Sequence, residues 1–196
     1  MSGDDLVTRA AAFARREHAG DERKGSGADY FEGHLAPVAE LVRSSGGTDV
    51  QVAAAYLHDV AEDHGGAPML ERVRAEFGDD VAEIVADLSD SLVDTTTGAV
   101  KAPWEQRKAA YVEALGAKPV RSLEVSVADK LHNASSIVVD HARLGAAVWE
   151  RFSVTDPARQ CWYYRSLAAV FEARIPDHPL TPRLSAAVTE MEHLTD

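Results

Sequence analysis

Apolar residues recur at spacings of three and four along nearly the whole chain, while sustained two-residue alternation is hard to find. That period builds amphipathic helices, so the expected fold is all-α. Leu6, Ala10, Phe13 and Ala14 outline a first helix that should fade near Gly20 into the polar loop "GDERKGSGADY". Leu35, Val38, Ala39 and Val42 mark a second, stopped by "SSGG". Thr48 and Gln51 have capping-box spacing ahead of a third, short helix, with Val50, Ala53, Ala54 and Leu57 on its buried stripe and an end near Asp63. After Gly65 and Gly66, Met69 to Phe77 and Val81 to Leu88 give two more helices separated by Gly78. "SDSLVDTTTGAVKAP" is turn-rich and suits a loop over a binding site. Pro103 opens the helix of Trp104, Lys108, Tyr111 and Leu115. Val120 to Val138 forms a longer one, Asp156 and Pro157 start another through Phe171, and a last helix runs roughly from Arg183 to His193.

A length of 196 residues, 45% of them hydrophobic and 27% charged, suits a single domain over 1–196 with a sizeable core. The lone cysteine, Cys161, cannot form an internal disulfide, and the N-terminus lacks the pattern of a secretory signal, so a cytoplasmic setting is expected. No apolar run is long enough to cross a bilayer. A net charge of −12 opposes general nucleic-acid binding but leaves room for a small anionic substrate if a cation sits in its site. No residue pattern fixes an oligomeric state.

The sharpest local feature is the adjacent pair His58 and Asp59 at the apolar end of a helix, where an imidazole and a carboxylate are costly to bury without a partner. Alone, such a pair reads as a polar helix end. Its context changes that: His34 sits near the start of the preceding helix, and Asp129 lies in "VSVADKLHNASSIV", a polar intrusion in an apolar stripe. Three helices can then aim His34, His58, Asp59 and Asp129 at one point. Two imidazoles and two carboxylates suit Mn²⁺ or Fe²⁺ and tolerate Zn²⁺ or Co²⁺; Mn²⁺ is the first choice. The absence of nearby cysteines argues against a structural thiolate zinc site and for open coordination positions.

With these residues the sequence resembles the HD-domain superfamily of metal-dependent phosphohydrolases, in which a His, a His-Asp pair and a distant Asp hold a divalent metal in a helical bundle. "RKGSGADYFEGHLAPVAELV", "AAAYLHDVAEDHG" and "VSVADKLHNA" are similar, more narrowly, to the RelA/SpoT-type branch with its small stand-alone alarmone hydrolases. That resemblance implies an HD-domain helical bundle that releases pyrophosphate from the 3′ position of guanosine tetra- or pentaphosphate. It also implies that Glu62 and Asp63 activate or orient the attacking water, and that Arg23 and Lys24 meet substrate phosphates. Asn133, four residues after Asp129, and Lys130 are implied near metal or substrate. Tyr163 and Tyr164, with Asp90, Trp104, Arg107 and Lys108, resemble positions near the nucleotide pocket, although Trp104, Tyr111 and Phe171 also have core spacing. Three positions depart from or qualify the pattern: His34 is followed by Leu35 where proline is usual, with Pro37 close by; His64 stands where a small hydroxyl residue is more frequent; and His132 is expected to buttress packing. An added histidine at 64 could recruit a second metal, but it reads as a surface residue.

The mechanism so implied is in-line attack by a water that the ion acidifies and Glu62 and Asp63 orient, with Arg23, Lys24 and Lys130 offsetting charge on the transferred group. The alternatives are an HD-type phosphatase for another nucleotide or NADPH, and a catalytically silent nucleotide-binding sensor. A di-iron oxygenase of the same superfamily requires more histidine ligands than His64 alone supplies.

Overall fold

The computed structural model describes residues 3–23 and 27–195. Helix α1 (Gly3–Glu17) leads through a looped segment to a π-helical turn, Phe31–Leu35, that runs directly into α2 (Ala36–Ser44). Then come α3 (Asp49–Leu57), α4 (Val60–Asp63), α5 (Gly66–Phe77) and α6 (Asp79–Leu88). The loop after α6 carries one 3₁₀ turn, Thr95–Thr97, before α7 (Trp104–Leu115) and the 25-residue α8 (Val120–Leu144). A 3₁₀ stretch, Gly145–Arg151, joins α8 to α9 (Pro157–Arg174), and α10 (Thr181–His193) follows. Among the described residues the only β pairing is an isolated bridge between Glu22 and Asp29. None of the helices among the described residues is long and apolar enough to cross a membrane.

Helix α3 lies at the centre because its sequence is apolar on every side: Val52, Ala53, Ala54, Ala55 and Leu57 are all buried, and it packs against α1, α2, α6 and α8. Its alanines let those neighbours approach closely. The expected capping box is present, with Thr48 Oγ1 accepting from Gln51 N and Gln51 Oε1 accepting from Thr48 N. Gln51 is itself buried and ties α3 to α8, its Nε2 donating to Arg121 O (3.1 Å) and Glu124 Oε2 (2.6 Å). Val50 is half-buried and packs at the margin of the core. The buried side chains form one continuous cluster.

Several boundaries differ from those the apolar period suggests. The third helix does not run on to Asp63; it breaks at His58 and Asp59 and resumes as α4. Helix α8 extends beyond Val138 to Leu144, where Gly145 at φ +59° ends it. The π turn and the 3₁₀ stretch of Gly145–Arg151 have no periodic signature of their own.

Candidate metal centre

His34 projects from the π turn, a wider coil that shifts side-chain direction relative to an α-helix and recurs at functional sites. His58 and Asp59 occupy the break between α3 and α4, and Asp129 sits within α8. These elements bring the donor atoms together. His34 Nε2 lies 3.2 Å from His58 Nε2, 3.4 Å from Asp59 Oδ2 and 3.3 Å from Asp129 Oδ1. His58 Nε2 lies 3.0 Å from Asp59 Oδ2 and 3.6 Å from Asp129 Oδ1. His34, His58 and Asp129 are at most 3% exposed.

Hydrogen bonds alone cannot satisfy this arrangement. In a triangle of mutually close polar atoms, such as His34 Nε2, His58 Nε2 and Asp59 Oδ2, at least one edge must face donor to donor or acceptor to acceptor. A cation accepts all the lone pairs at once. With ligand bonds of about 2.0–2.1 Å, donors around one ion stand roughly 2.9–3.4 Å apart, which matches most of the observed separations. The rings are also set in the required tautomer. His58 Nδ1 donates to Ala55 O at 2.8 Å, so Nε2 is the nitrogen whose lone pair is available to a metal. His34 Nδ1 is 3.0 Å from His132 Nδ1, so one of the two must donate. Burial, with the neighbouring His34 and Arg23, pulls His132 down to about 4. His132 is therefore neutral at pH 7, able to accept from His34 and direct its Nε2 lone pair into the cluster.

The histidines and carboxylates of the cluster are strongly coupled electrostatically. Burial alone pulls His58 down, but Asp59 and Asp129 overcome it and hold the imidazole well above its usual range. Burial pushes Asp59 and Asp129 up, yet His58 and His34 hold Asp59 well below the carboxylate range, and Lys130 with both histidines does the same for Asp129.

A shell of polar contacts surrounds the donors. Tyr30 OH donates to Asp59 Oδ2 (2.6 Å), Asn133 Nδ2 to Asp129 Oδ1 (2.6 Å) and Lys130 Nζ to Asp129 Oδ2 (2.7 Å). Arg23 reaches across from the first loop, its NH2 donating to Asn133 Oδ1 (3.0 Å) and Ser136 Oγ (3.3 Å). The cluster opens into a cavity of about 680 Å³ whose lining includes Glu62, Asp63, Tyr163 and Tyr164 as well as Arg23, Lys130 and Asn133. Burial and the charge of Asp90 raise Glu62 from its ordinary value, against the pull of Lys101. Glu62 accepts from Lys101 Nζ (3.1 Å) and from Asp90 N (3.2 Å). Asp90 in turn binds Arg107 and Lys108 (2.6 Å), so these cations reach the cavity already neutralised in part. Tyr163 and Tyr164 are buried, with Lys108 Nζ 4.9 Å above the Tyr163 ring and Trp104 packed against its edge. Tyr111 and Phe171 belong to the core. Lys24 lies outside the described residues.

Three contributors carried no clear signal in the sequence. Tyr30 precedes His34 by four residues on one coil face, a spacing that marks it only once His34 is known to matter. His18 and Asp21, three residues apart, meet His64 in a second histidine and carboxylate group on the cavity wall, so His64 is a partly buried, partnered residue and not a surface one.

The site's likeness to known proteins agrees with its geometry. Residues 10–154 match a family model described as HD domain. A probable guanosine-3′,5′-bis(diphosphate) 3′-pyrophosphohydrolase of Synechocystis sp. is 34% identical over 128 residues, which are 65% of this chain and 16% of that protein. A probable GTP pyrophosphokinase of Mycobacterium leprae is 35% identical over 128 residues, 65% of this chain and 15% of its own. The chain thus spans about a sixth of the length of these curated relatives. Among solved structures, lmo0812 from Listeria monocytogenes EGD-e is similar with a TM-score of 0.68 at 28% identity, over 83% of this chain and 99% of that one. A metazoan ortholog of SpoT that hydrolyses ppGpp shares the fold, with a TM-score of 0.72 at 20% identity over 94% of each chain. The match over residues 10–154 takes in every donor of the buried cluster, and the chain belongs to the HD-domain family.

Proposed function

We propose that this chain is a metal-dependent phosphohydrolase whose substrate is guanosine 3′,5′-bis(diphosphate) or its pentaphosphate analogue, cleaved at the 3′ position with release of pyrophosphate. The observation that carries the reading is the convergence of His34, His58, Asp59 and Asp129 on one point at a cavity that also presents Glu62 and Asp63. The names of the Synechocystis and metazoan relatives supply the substrate class. The chain acts as one HD-type unit in the cytoplasm, on a small phosphorylated nucleotide.

His34, His58, Asp59 and Asp129 would hold one divalent ion, Mn²⁺ by preference because the donors mix imidazole and carboxylate with no thiolate. When bound, that ion supplies Lewis-acid polarisation and acidifies water. Glu62, on the cavity wall with a basicity raised by burial, is suited to take a proton from the attacking water, and Asp63 orients that water beside it. Arg23 and Lys24 bind substrate phosphates, Arg23 with its guanidinium held beside the cluster by Asn133. Lys130 holds Asp129 and offsets charge on the departing group. Tyr163 and Tyr164 give the nucleotide an aromatic wall.

The test is to incubate purified protein and Mn²⁺ with guanosine tetraphosphate, NADPH and nucleoside monophosphates, and to resolve pyrophosphate from orthophosphate. Pyrophosphate from guanosine tetraphosphate is expected. Orthophosphate from one of the other substrates, with guanosine tetraphosphate intact, would transfer the same metal site to a phosphatase.

A further inference from the structure

A second group of donors stands apart from the first. His18 continues the coil of α1 by one residue, its N–H donating to Ala14 O at 3.0 Å. The chain then turns so that Asp21 N donates to His18 O (3.0 Å), and Tyr30 N donates back to Asp21 O (3.0 Å). His64 ends α4, its N–H donating to Val60 O (3.0 Å), with Gly65 at φ +121° turning the chain away. These backbone contacts hold three side-chain donors on one spot: His18 Nδ1 to Asp21 Oδ2 is 3.0 Å, His64 Nε2 to Asp21 Oδ2 is 2.8 Å, and His64 Nε2 to His18 Nδ1 is 3.1 Å.

The same conflict of donors and acceptors arises at these three atoms. If both ring nitrogens donate to Asp21, they face each other as donors at 3.1 Å; if only one does, the other turns a lone pair to the carboxylate. Only a cation satisfies all three edges. The separations correspond to three neighbouring positions around an ion with bonds of about 2.0–2.1 Å. His18 is 1% exposed, whereas Asp21 and His64 line the same cavity as Glu62 and Asp63, so coordination positions not filled by protein would open toward substrate. Tyr30 separates the two groups: its ring stacks on His18 at 5.0 Å, and its hydroxyl donates to Asp59 of the other.

We propose that His18, Asp21 and His64 form a second divalent transition-metal site in the wall of the catalytic cavity. Two imidazoles favour Mn²⁺, Fe²⁺, Co²⁺ or Zn²⁺ over Mg²⁺ or Ca²⁺. In a chain of net charge −12, an ion there provides a fixed positive charge for a substrate phosphate. The site is the weaker of the two. It has three protein ligands, and the remote ring nitrogen of its buried histidine, His18 Nε2, has no hydrogen-bond partner among the described residues, whereas His34 and His58 are each oriented by one. Lost outer-shell support costs roughly 10–100-fold in affinity, and the second ion is expected to bind weaker by about that factor.

Metal stoichiometry reads the second site separately from the identity of substrate and product. Metal-depleted full-length protein is titrated with Mn²⁺ and with Zn²⁺ and analysed for bound metal, and crystals soaked in Mn²⁺ are examined for anomalous scattering. Two ions per chain are expected, in a tight and a weaker phase, with one anomalous peak among His18, Asp21 and His64. His64→Gln and Asp21→Asn, both at partly exposed positions, should each remove the weaker phase and keep the tight one, which also reports an intact fold. Asp129→Ala should do the reverse. One ion per chain with both metals, or a second phase that survives both His64→Gln and Asp21→Asn, would overturn the proposal.

Discussion

His34 and His58 present Nε2 to the donor cluster because their other ring nitrogens are engaged, one by the His132 ring and the other by the Ala55 carbonyl. The two supports are not equally replaceable. Backbone holds His58, so no side-chain substitution removes its acceptor, whereas His34 depends on a neutral imidazole at position 132. His132→Phe keeps a ring of similar size and deletes the acceptor, so divalent-metal affinity should fall about 10–100-fold, read by competition with a chromophoric chelator. Unchanged affinity would show that packing alone orients His34. The donors are less forgiving. Asp59→Ala or Asp129→Ala should abolish metal-dependent turnover while far-UV circular dichroism keeps its helical signal; turnover retained in either variant would contradict the assignment of these carboxylates. The Asp129 variant also leaves Lys130, Asn133 and the two histidines without their shared anion, so some loss of thermal stability should accompany it.

Between elements, what was legible in the sequence depended on whether a residue announced itself locally. The apolar period located the helices because each buries one face or, for α3, all of them, and Thr48 with Gln51 marked a start through a contact made within four residues. His58, Asp59 and Asp129 stood out as polar groups inside apolar stripes. The break after Leu57, the π turn under His34, and the meeting of His18 with His64 arise from tertiary packing, which a local period cannot encode. Gly66 is a further case: its role comes from the loop after α6, which folds back on the start of α5, where Ala67 N donates to Leu92 O at 2.9 Å. At φ +62°, a Cβ at Gly66 would stand 2.4 Å from Leu92 O and 2.6 Å from Asp94 N, both backbone atoms. Gly66→Ala should therefore lose more than about 1 kcal/mol of stability, combining left-handed strain with a clash that only movement of the loop relieves. Faster amide exchange across residues 89–103 would locate the damage in that loop; protection equal to wild type, with stability unchanged, would mean that the loop does not depend on the contact.

Across the whole molecule, the cavity is held partly by charge. Asp90, at the end of α6, binds Arg107 and Lys108 of α7, and Glu62 of α4 joins them through Lys101 and the Asp90 backbone. The Asp90 side chain is 3% exposed, so screening by solvent is slight and its pairing is coupled to folding. Burial would raise its pKa, but Lys108 and Arg107 overcome that and lower it to about 2, from an ordinary 3.8. A carboxyl depressed in the folded state stabilises it fully above its unfolded pKa and loses that contribution as the pH falls through the folded value. The difference corresponds to about 2 kcal/mol at neutral pH. Asp90→Asn should thus lower stability by about that amount at pH 7, measured by urea unfolding. The gap between variant and wild type should hold to about pH 5, narrow below pH 4 and close toward pH 2, because wild-type Asp90 then becomes neutral as well. A gap that stays constant from pH 7 to pH 3 would assign the loss to packing and not to the charge that joins α6 to α7.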